Sequence, residues 1–410
     1  MSQPSSTARP APTRSSPPKA SSTVPYSASP TWVWTTSSRV GTRVRQTVTH
    51  LADGRELIYF DDTEPFVSGA ATRDLHDRRD LPPVAATSEM RRDPLTGEWV
   101  TFAAHRMDRT FLPSAVDCPL CPSRADACTE IPADDYDVVV FENRFPSLGA
   151  PSAGEDLVDD EGLWPRRPAT GRCEVVAFTP DHDARFADLS VPRARTVIDA
   201  LAARTAALSQ LPDVEQVFCF ENRGVEIGVT LQHPHGQIYA YPFVPPRPQA
   251  LLDRAREHRL RTGRSLQGDI LDAERRVGTR LVFSGDAWSA YVPAAARWPV
   301  ELHLVPHRDI PDLAALDEHE RDELAGIQRD LLGRVDRFFP GVDRAPYIAA
   351  WHQAPVGAPP GDVRLFCQIF SLRRAPDKLK YLAGSESAMG AWISDTTPER
   401  IAERLREVAP

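Results

Sequence analysis

The sequence lacks three features: a long apolar run, a dense set of cysteines and an excess of positive charge. No run of about eighteen apolar residues occurs, and no signal-peptide core is present, so we expect no membrane span. Six cysteines in 410 residues do not indicate a disulfide framework, which favours the cytoplasm. The formal net charge of −9 argues against a nucleic-acid-binding surface. Any phosphate-bearing ligand must therefore be held by a local site.

The composition changes along the chain. Residues 1–45 are rich in Ser, Pro and Thr and too poor in apolar residues to form a core, so we expect a disordered leader. Beyond it, short apolar segments such as VVVF, VFCF and LVF recur and predict strands. Strands and helices together predict an α+β fold. The apolar periodicity predicts helices over 190–211, 247–261, 316–338 and 397–407.

Two parts of the chain repeat one order of segments. The first part contains, in this order, VVVFENRF, CEVVAF, a helix and QVFCFENRG…HPHGQIYA. The second part contains WSAYVP, VELHLVPH, a helix and YIAAWHQAP…RLFCQIF. This order predicts an internal duplication, with units over 46–245 and 246–410. Because the second copy has RLFCQIF where the first has QHPHGQI, we expect chemistry in the first unit only.

The segment LQHPHGQIYA, residues 231–240, carries the strongest chemical signal. In an extended strand, His233, His235 and Gln237 point to the same face. Neutral imidazole can attack phosphorus without a separate base, so His235 is the candidate nucleophile, provided that a main-chain carbonyl keeps its other nitrogen protonated. Gln237 can donate to a phosphoryl oxygen, and Gly236 permits close approach of phosphate. The simpler alternatives are a metal pair or a turn with incidental histidines.

The segment DCPLC pairs Cys118 with Cys121 in a C-x-x-C motif. Such a pair is a common half of a tetrahedral zinc site, and a redox pair or two buried thiols are the alternatives. A zinc site requires two further ligands. His182 in TPDHD and His233 are candidates, because each stands beside the end of a predicted strand.

Together these motifs resemble the galactose-1-phosphate uridylyltransferase family of the histidine-triad superfamily. Four segments occur in the family's order and spacing: DPLTGEWV…AHR, DCPLC, FTPDHD and FENRGVEIGVTLQHPHGQIYA. The likeness runs from about residue 50 to the end. The resemblance implies tandem histidine-triad folds of antiparallel sheets with packed helices. It also implies that His235 attacks the α-phosphorus of UDP-glucose, and that galactose 1-phosphate then takes up the uridylyl group. Hydrolases of the superfamily carry a third His where this chain has Gln237.

The resemblance implies roles for further residues. Cys118, Cys121, His182 and His233 would hold one structural zinc per subunit. A homodimer is implied, in which the segment DKLKYLAGSE reaches sugar phosphate either in its own subunit or in the partner subunit. The residues implied to bind substrate are Arg106, Arg109, Asn143, Asn222, Gly228, Thr230, Gln237, Lys380, Tyr381 and Glu386.

The chain departs from the family pattern at two places. Some members hold a second metal with one Glu and three His, and the matching positions here are Leu251, His352, Phe366 and Gln368. Since one imidazole does not hold such an ion, we expect no second metal. Second, Arg144 stands where the family has an acidic residue on the nucleotide side. This leaves the contacts to ribose and base open.

Two other functions remain open from the motifs alone. H-P-H-x-Q also serves adenylyl transfer, so an adenylyltransferase or phosphorylase acting on ADP-sugars or dinucleoside polyphosphates is the first alternative. The second is a zinc-stabilised nucleotide-binding module without turnover. It would require His235 to be idle.

Overall fold

A computed structural model describes residues 43–73, 76–84, 88–108, 112–149 and 162–410. The predicted leader therefore falls mostly outside the described residues, and Arg45 already begins the first strand. The strands are β1 (Arg45–His50), β2 (Glu56–Asp61), β3 (Glu89–Arg92), β4 (Trp99–Phe102), β5 (Val138–Glu142), β6 (Arg166–Pro168), β7 (Arg172–Ala177), β8 (Gln216–Arg223), β9 (His235–Tyr241), β10 (Leu281–Ser284), β11 (Trp288–Tyr291), β12 (Val300–Pro306), β13 (Tyr347–His352), β14 (Phe366–Ser371), β15 (Arg373–Ala375) and β16 (Lys378–Leu379). The α-helices are α1 (Val191–Leu208), α2 (Pro246–Thr262), α3 (Leu266–Val277), α4 (Glu318–Arg337), α5 (Gly384–Ser387) and α6 (Pro398–Glu407).

Eleven of these strands form one antiparallel sheet, in the order β1-β2-β5-β7-β9-β8-β13-β14-β12-β11-β10. Smaller sheets are formed by β4-β3-β6 and by β15-β16. The structure thus confirms an α+β fold of antiparallel sheets with packed helices. Because the pairing of β8 with β13 joins the two halves, their strands share one continuous surface on each side.

The internal duplication is visible in the topology. In the first half, β9 lies between β7 and β8, and α1 connects β7 to β8 along the chain. In the second half, β14 lies between β12 and β13, and α4 connects β12 to β13. The same order of strands and helix therefore occurs twice. The predicted boundary at residue 245 lies next to Pro246, where α2 begins, and it remains a prediction.

The two long helices begin at strong capping signals. The Ser190 hydroxyl accepts a hydrogen bond from the backbone N–H of Arg193 at the start of α1. Asp317 and Glu320 form a capping box at the start of α4. One core cluster contains Val197 of α1, Leu331 of α4 and inward residues of both halves of the sheet. Helices α1 and α4 thus cover one face of the sheet, and the candidate site lies on the opposite face of the first half.

Sequence reasoning missed α3, although its capping signals are present. The Ser265 hydroxyl accepts from the backbone N–H of Gly268, and Gly278 ends the helix in the left-handed conformation with φ of 75°. Together with α2, this helix covers part of the second half of the sheet, where Leu251 and Leu271 pack beside Phe366.

Candidate active site

Strand β9 presents alternate side chains to the two faces of the sheet. Ile238 and Ala240 point into the core beneath α1, whereas His235, Gln237 and Tyr239 line a cavity of about 640 Å³ on the opposite face. Gly236 also faces the core: a Cβ there would lie 3.0 Å from the Phe178 ring. The expectation that Gly236 serves the approach of phosphate is therefore replaced by a packing requirement.

His235 has the hydrogen bond that a nucleophilic imidazole needs. Its Nδ1 lies 2.7 Å from the carbonyl oxygen of His233, and because a carbonyl only accepts, Nδ1 carries the proton. Nε2 is then free of its proton in the neutral ring. Burial lowers the pKa of His235, which favours this neutral form.

The four predicted metal ligands meet at one point. The ligand atoms of Cys118, Cys121, His182 and His233 all lie within 4.8 Å of one another. Cys121 Sγ lies 3.5 Å from His182 Nδ1 and 3.6 Å from His233 Nδ1. In a tetrahedral zinc site, the standard Zn–S and Zn–N distances place such atoms about 3.6 Å apart. The cluster therefore has the donor set and the spacing for a metal such as zinc.

Buried partners fix the orientation of the His233 ring. Its Nε2–H donates to the carbonyl of Thr179 at 2.8 Å, which leaves Nδ1 as the ligand atom. The Tyr136 hydroxyl lies 2.9 Å from the same Nε2, and the carbonyl oxygens of Thr179 at 2.6 Å and Leu120 at 2.8 Å are both within reach of its one O–H donor. Burial lowers the pKa of His233 to about 4, so the ring is neutral, as a metal ligand must be.

The thiols of the cluster favour a cation between them. Burial, and then the charge of the neighbouring Cys118, raises the pKa of Cys121 to about 12. Two adjacent thiolates are therefore unfavourable in this environment unless a cation compensates their charge. The chemistry of the donors and their spacing agree on a metal site.

The cavity gathers most of the residues that the sequence indicated. Gly228, which has a φ of 79° and caps a short helical turn, lies at the same cavity as Thr230. Their contacts with substrate remain predictions. The predicted residues that line the cavity are Arg106, Asn143, Asn222, Gly228, Thr230, His235 and Gln237.

The remaining predicted residues lie elsewhere or outside the described ranges. Arg109 belongs to residues that the structure does not describe. Lys380 and Glu386 do not line the cavity; they form an ion pair of 2.9 Å, and the Lys380 ammonium also donates to the carbonyl of Arg297 at 2.9 Å. Tyr381 is 71% exposed. The binding role of this segment remains a prediction.

Sequence reasoning missed several residues that line the cavity. Phe141 and Phe220 each stand two residues before a predicted asparagine, in the repeated FEN motif, so strand alternation could have placed them on the same face. Arg79 and Glu130 have no such local signal. They reach the cavity through ion pairs with residues distant in sequence.

The positions of the family's second metal converge in the second half. Leu251 and Phe366 pack in one apolar cluster, and the His352 ring stacks on Phe366 with centroids 4.5 Å apart. His352 Nε2 lies 3.2 Å from Gln368 Oε1, and burial lowers the pKa of His352 to about 3. These side chains form a packed arrangement with one imidazole. The absence of a second metal remains a prediction.

The site lies on an antiparallel sheet, where a cluster of candidate metal ligands adjoins a histidine, and the protein is a nucleotidyltransferase. The chain belongs to the galactose-1-phosphate uridylyltransferase family. The family model for the N-terminal domain of galactose-1-phosphate uridyl transferase matches residues 77–245. The model for the C-terminal domain matches residues 252–409.

Individual relatives agree with this assignment. A galactose-1-phosphate uridylyltransferase of Streptomyces lividans is 47% identical over 376 residues, covering 89% of this chain and 98% of the relative. The Thermotoga maritima enzyme of the same name is 33% identical, covering 78% of this chain and 98% of its own. A solved uridylyltransferase superposes with a TM-score of 0.67 at 33% identity, over 78% of this chain and 98% of its own.

One further structure is similar in fold alone. An ADP-glucose phosphorylase from Arabidopsis thaliana, solved with bound ADP-glucose, has a TM-score of 0.59 at 23% identity, over 79% of this chain and 99% of its own.

Within the described ranges, no helix combines the length and apolar character of a membrane span. The cytoplasmic location and the absence of nucleic-acid and membrane partners remain predictions.

Proposed function

We propose that this chain is a UDP-glucose–hexose-1-phosphate uridylyltransferase that works through a covalent intermediate on His235. Nε2 attacks the α-phosphorus of UDP-glucose, the N–P bond forms, and the bond from the α-phosphorus to the bridging oxygen breaks to release glucose 1-phosphate. A phosphate oxygen of galactose 1-phosphate then attacks the same phosphorus. The N–P bond breaks, which releases UDP-galactose and restores the imidazole.

The hydrogen bond from His235 Nδ1–H to the His233 carbonyl carries this proposal. It holds the ring in the tautomer whose Nε2 lone pair can attack, so no separate base is needed. The acceptor carbonyl belongs to a residue of the metal cluster. The position of the nucleophile is therefore coupled to the cluster through one peptide segment.

We assign a structural role to the metal and expect one zinc ion per subunit. Cys118, Cys121, His182 and His233 would fill all four positions of a tetrahedral ion, which leaves none for substrate. A bound zinc would supply rigidity to the turn that precedes β9. The residues themselves do the rest: Thr179 fixes the tautomer of His233, and the His233 carbonyl orients His235.

Intact-mass spectrometry after exposure to UDP-glucose alone tests the covalent step. We expect a gain of one uridylyl unit in the wild type and none in His235→Ala. ADP-glucose serves as the parallel donor, because an adenylyl adduct instead would support the adenylyltransferase alternative. A wild-type protein that transfers uridylyl groups without ever carrying the adduct would contradict the intermediate. A protein without turnover on either donor would support a binding module.

We further infer a homodimer in which the segment around Tyr381 serves the partner's cavity. Tyr381, Leu382, Met389 and Ile393 are exposed apolar side chains in this segment, which does not line its own cavity. Exposed apolar side chains close together are typical of contact surfaces. Lys380 and its ion pair with Glu386 stabilise the base of the segment.

Subunit mixing distinguishes this arrangement from a site within one chain. His235→Ala and Tyr381→Ala are each expected to be impaired, and the hybrid dimer should regain activity at one site. In that site, an intact His235 meets an intact Tyr381 from the other subunit. If the segment served its own chain, no site of the hybrid would contain both residues, and mixing would restore nothing.

A further inference from the structure

Arg144 is a cationic side chain of the cavity that has no hydrogen-bond partner within the described part of the chain. It follows Asn143 at the end of β5 and lines the same cavity as His235. Its closest ionic partner is Glu130, whose Oε1 lies 3.7 Å from Nη1, beyond hydrogen-bond distance. Its side chain is 37% exposed. The guanidinium is therefore available to a ligand.

Other arginines already satisfy the carboxylate beside Arg144. Glu130 Oε2 accepts from Arg55 at 2.5 Å, and Oε1 accepts from Arg79 at 2.8 Å. Arg55 also donates to the carbonyl of Glu142, which ties Glu130 to the end of β5. Arg55 also pairs with Asp53 at 2.8 Å and Arg79 with Asp77 at 2.7 Å, so three guanidinium groups face three carboxylates, and Arg144 is the one of the three without a hydrogen bond to a described residue.

Arg144 differs in this respect from the other arginines of the cavity. Arg106 donates to the carbonyl of Phe145 at 3.0 Å. Arg79 is held by Asp77 at 2.7 Å as well as by Glu130. The guanidinium groups of Arg106 and Arg79 thus donate hydrogen bonds within the protein, whereas that of Arg144 has, among the described residues, only the ionic contact with Glu130.

The sheet register places Arg144 far from the reacting phosphorus. His235 is level with Ala177 on β7, which is level with Val139 on β5, so Asn143 lies two strands across and four residues further along. Standard sheet spacings convert this offset to roughly 17 Å between the Cα atoms of His235 and Asn143. An extended nucleoside phosphate, with the reach of two side chains, can span that distance. A nucleoside phosphate whose phosphorus lies at His235, and which extends toward β5, would bring its base close to Arg144.

We propose that Arg144 reads the pyrimidine base by donating to the O4 carbonyl of uracil, an inference that rests on the proposed uridylyl transfer. A guanidinium group has five donors and no acceptor. Uracil presents a carbonyl at position 4, whereas cytosine and adenine present an amino group at the matching edge. Arg144 then discriminates between bases in a way that a phosphate-binding arginine does not.

Binding of UMP and CMP to the full chain tests this role, because these nucleotides differ only at the base edge in question. Calorimetric dissociation constants are measured for wild type, for Arg144→Met and for Arg254→Met as a matched surface control. Arg254 is exposed and pairs with Glu257 on α2. The wild type should prefer UMP by roughly tenfold, and Arg144→Met should bring the UMP/CMP ratio close to one by weakening UMP alone. Arg254→Met should leave the ratio unchanged.

Two outcomes would overturn the inference. Equal weakening of both nucleotides in Arg144→Met would mean that Arg144 contacts phosphate or ribose, and unchanged constants would mean that it contacts neither. Equal unfolding temperatures of the variants exclude a folding defect as the cause. Failure of the proposed function is separable, because the uridylyl adduct is measured on wild type and does not depend on Arg144.

Discussion

Strands β9 and β14 occupy equivalent places in the two halves of the sheet and present different chemistry on the same face. Gln237 is level with Val175 and Phe220, and Gln368 is level with His303 and Ala350 in the matching strands. Counting back two residues from each glutamine gives His235 in β9 and Phe366 in β14. The duplicated scaffold therefore keeps the glutamine and has a phenylalanine in place of the proposed nucleophile.

The surroundings of the two strands differ as much as the strands themselves. In the first half, a cavity of about 640 Å³ opens over His235 and Gln237. In the second half, helices α2 and α3 cover the same face, and Leu251 and Leu271 pack beside Phe366. The same fold therefore forms an open cavity in one half and a packed apolar cluster in the other, depending on a few side chains and on the helices that cover them.

The largest expected effect comes from giving β9 the residue of β14. His235→Phe removes the proposed nucleophile, so uridylyl transfer should fall on the order of 10⁴-fold or more, while the fold is retained. Steady-state release of UDP-galactose and thermal unfolding measure the two properties. The reverse change, Phe366→His, is the matched control and should create no adduct in a His235→Phe background. A His235→Phe variant with near-normal transfer would refute the assigned role.

Removing one metal ligand should separate the stability of the first half from its chemistry. Cys118→Ser should weaken zinc binding by at least about 100-fold and lower the unfolding temperature, because a ligand is lost from a buried site. Metal analysis and calorimetry report these changes. Cys128→Ser, a change at an exposed cysteine outside the cluster, should keep its metal. A full metal complement in Cys118→Ser would remove this residue from the ligand set.

Substitution of the two equivalent glutamines should have different effects, because we expect Gln237 to serve the reaction and Gln368 to serve stability. Gln237→Leu removes an amide donor from the cavity and should lower kcat by about 10²-fold, the usual effect of losing one donor to a developing phosphoryl charge. The unfolding temperature should change little. Presteady-state formation of the uridylyl adduct measures the effect, and an unchanged rate would show that the amide does not contact the phosphoryl group.

Gln368→Leu should show the opposite behaviour. The Gln368 amide donates to Glu301 Oε1 at 2.7 Å, and its oxygen lies 3.2 Å from His352 Nε2. Because the substitution removes one hydrogen bond from Glu301 and leaves the buried His352 Nε2 without its partner Gln368, the free energy of unfolding should fall by roughly 2 kcal/mol, while transfer is retained. Chemical denaturation of the two glutamine variants side by side provides the check. Loss of transfer without loss of stability in Gln368→Leu would contradict the structural role assigned to Gln368.

Much of the fold was predictable because it depends on local patterns. The sequence predicted helices over 190–211 and 316–338. The structure has α1 at Val191–Leu208 and α4 at Glu318–Arg337. Both helices begin at capping residues that a short window reveals. Helix α3 was missed even though Ser265 and Gly278 cap it, because its apolar stripe is short. Local signals therefore predicted the position of each long helix but not the full number of helices.

The site was predictable where sequence spacing and strand geometry coincide. Period-two alternation put His235 and Gln237 on one face, and the C-x-x-C pair marked one half of the metal cluster. His182 and His233 were candidates for the other half because each stands beside the end of a predicted strand, and the family resemblance then matched both to zinc positions. Tyr136 was missed, because its contact with His233 joins residues that are far apart in sequence.

The amino-acid sequence by itself determined the alternation of β9, the caps of the long helices and the types of donor available to a metal. Only the folded structure brings Arg55 and Arg79 to Glu130, leaves Arg144 without a hydrogen bond among the described residues, and covers the second half with α2 and α3. The physical reason is range. Hydrogen bonds and periodicity within a strand or helix act over a few residues, whereas ion pairs and packing depend on segments that only the folded chain brings together.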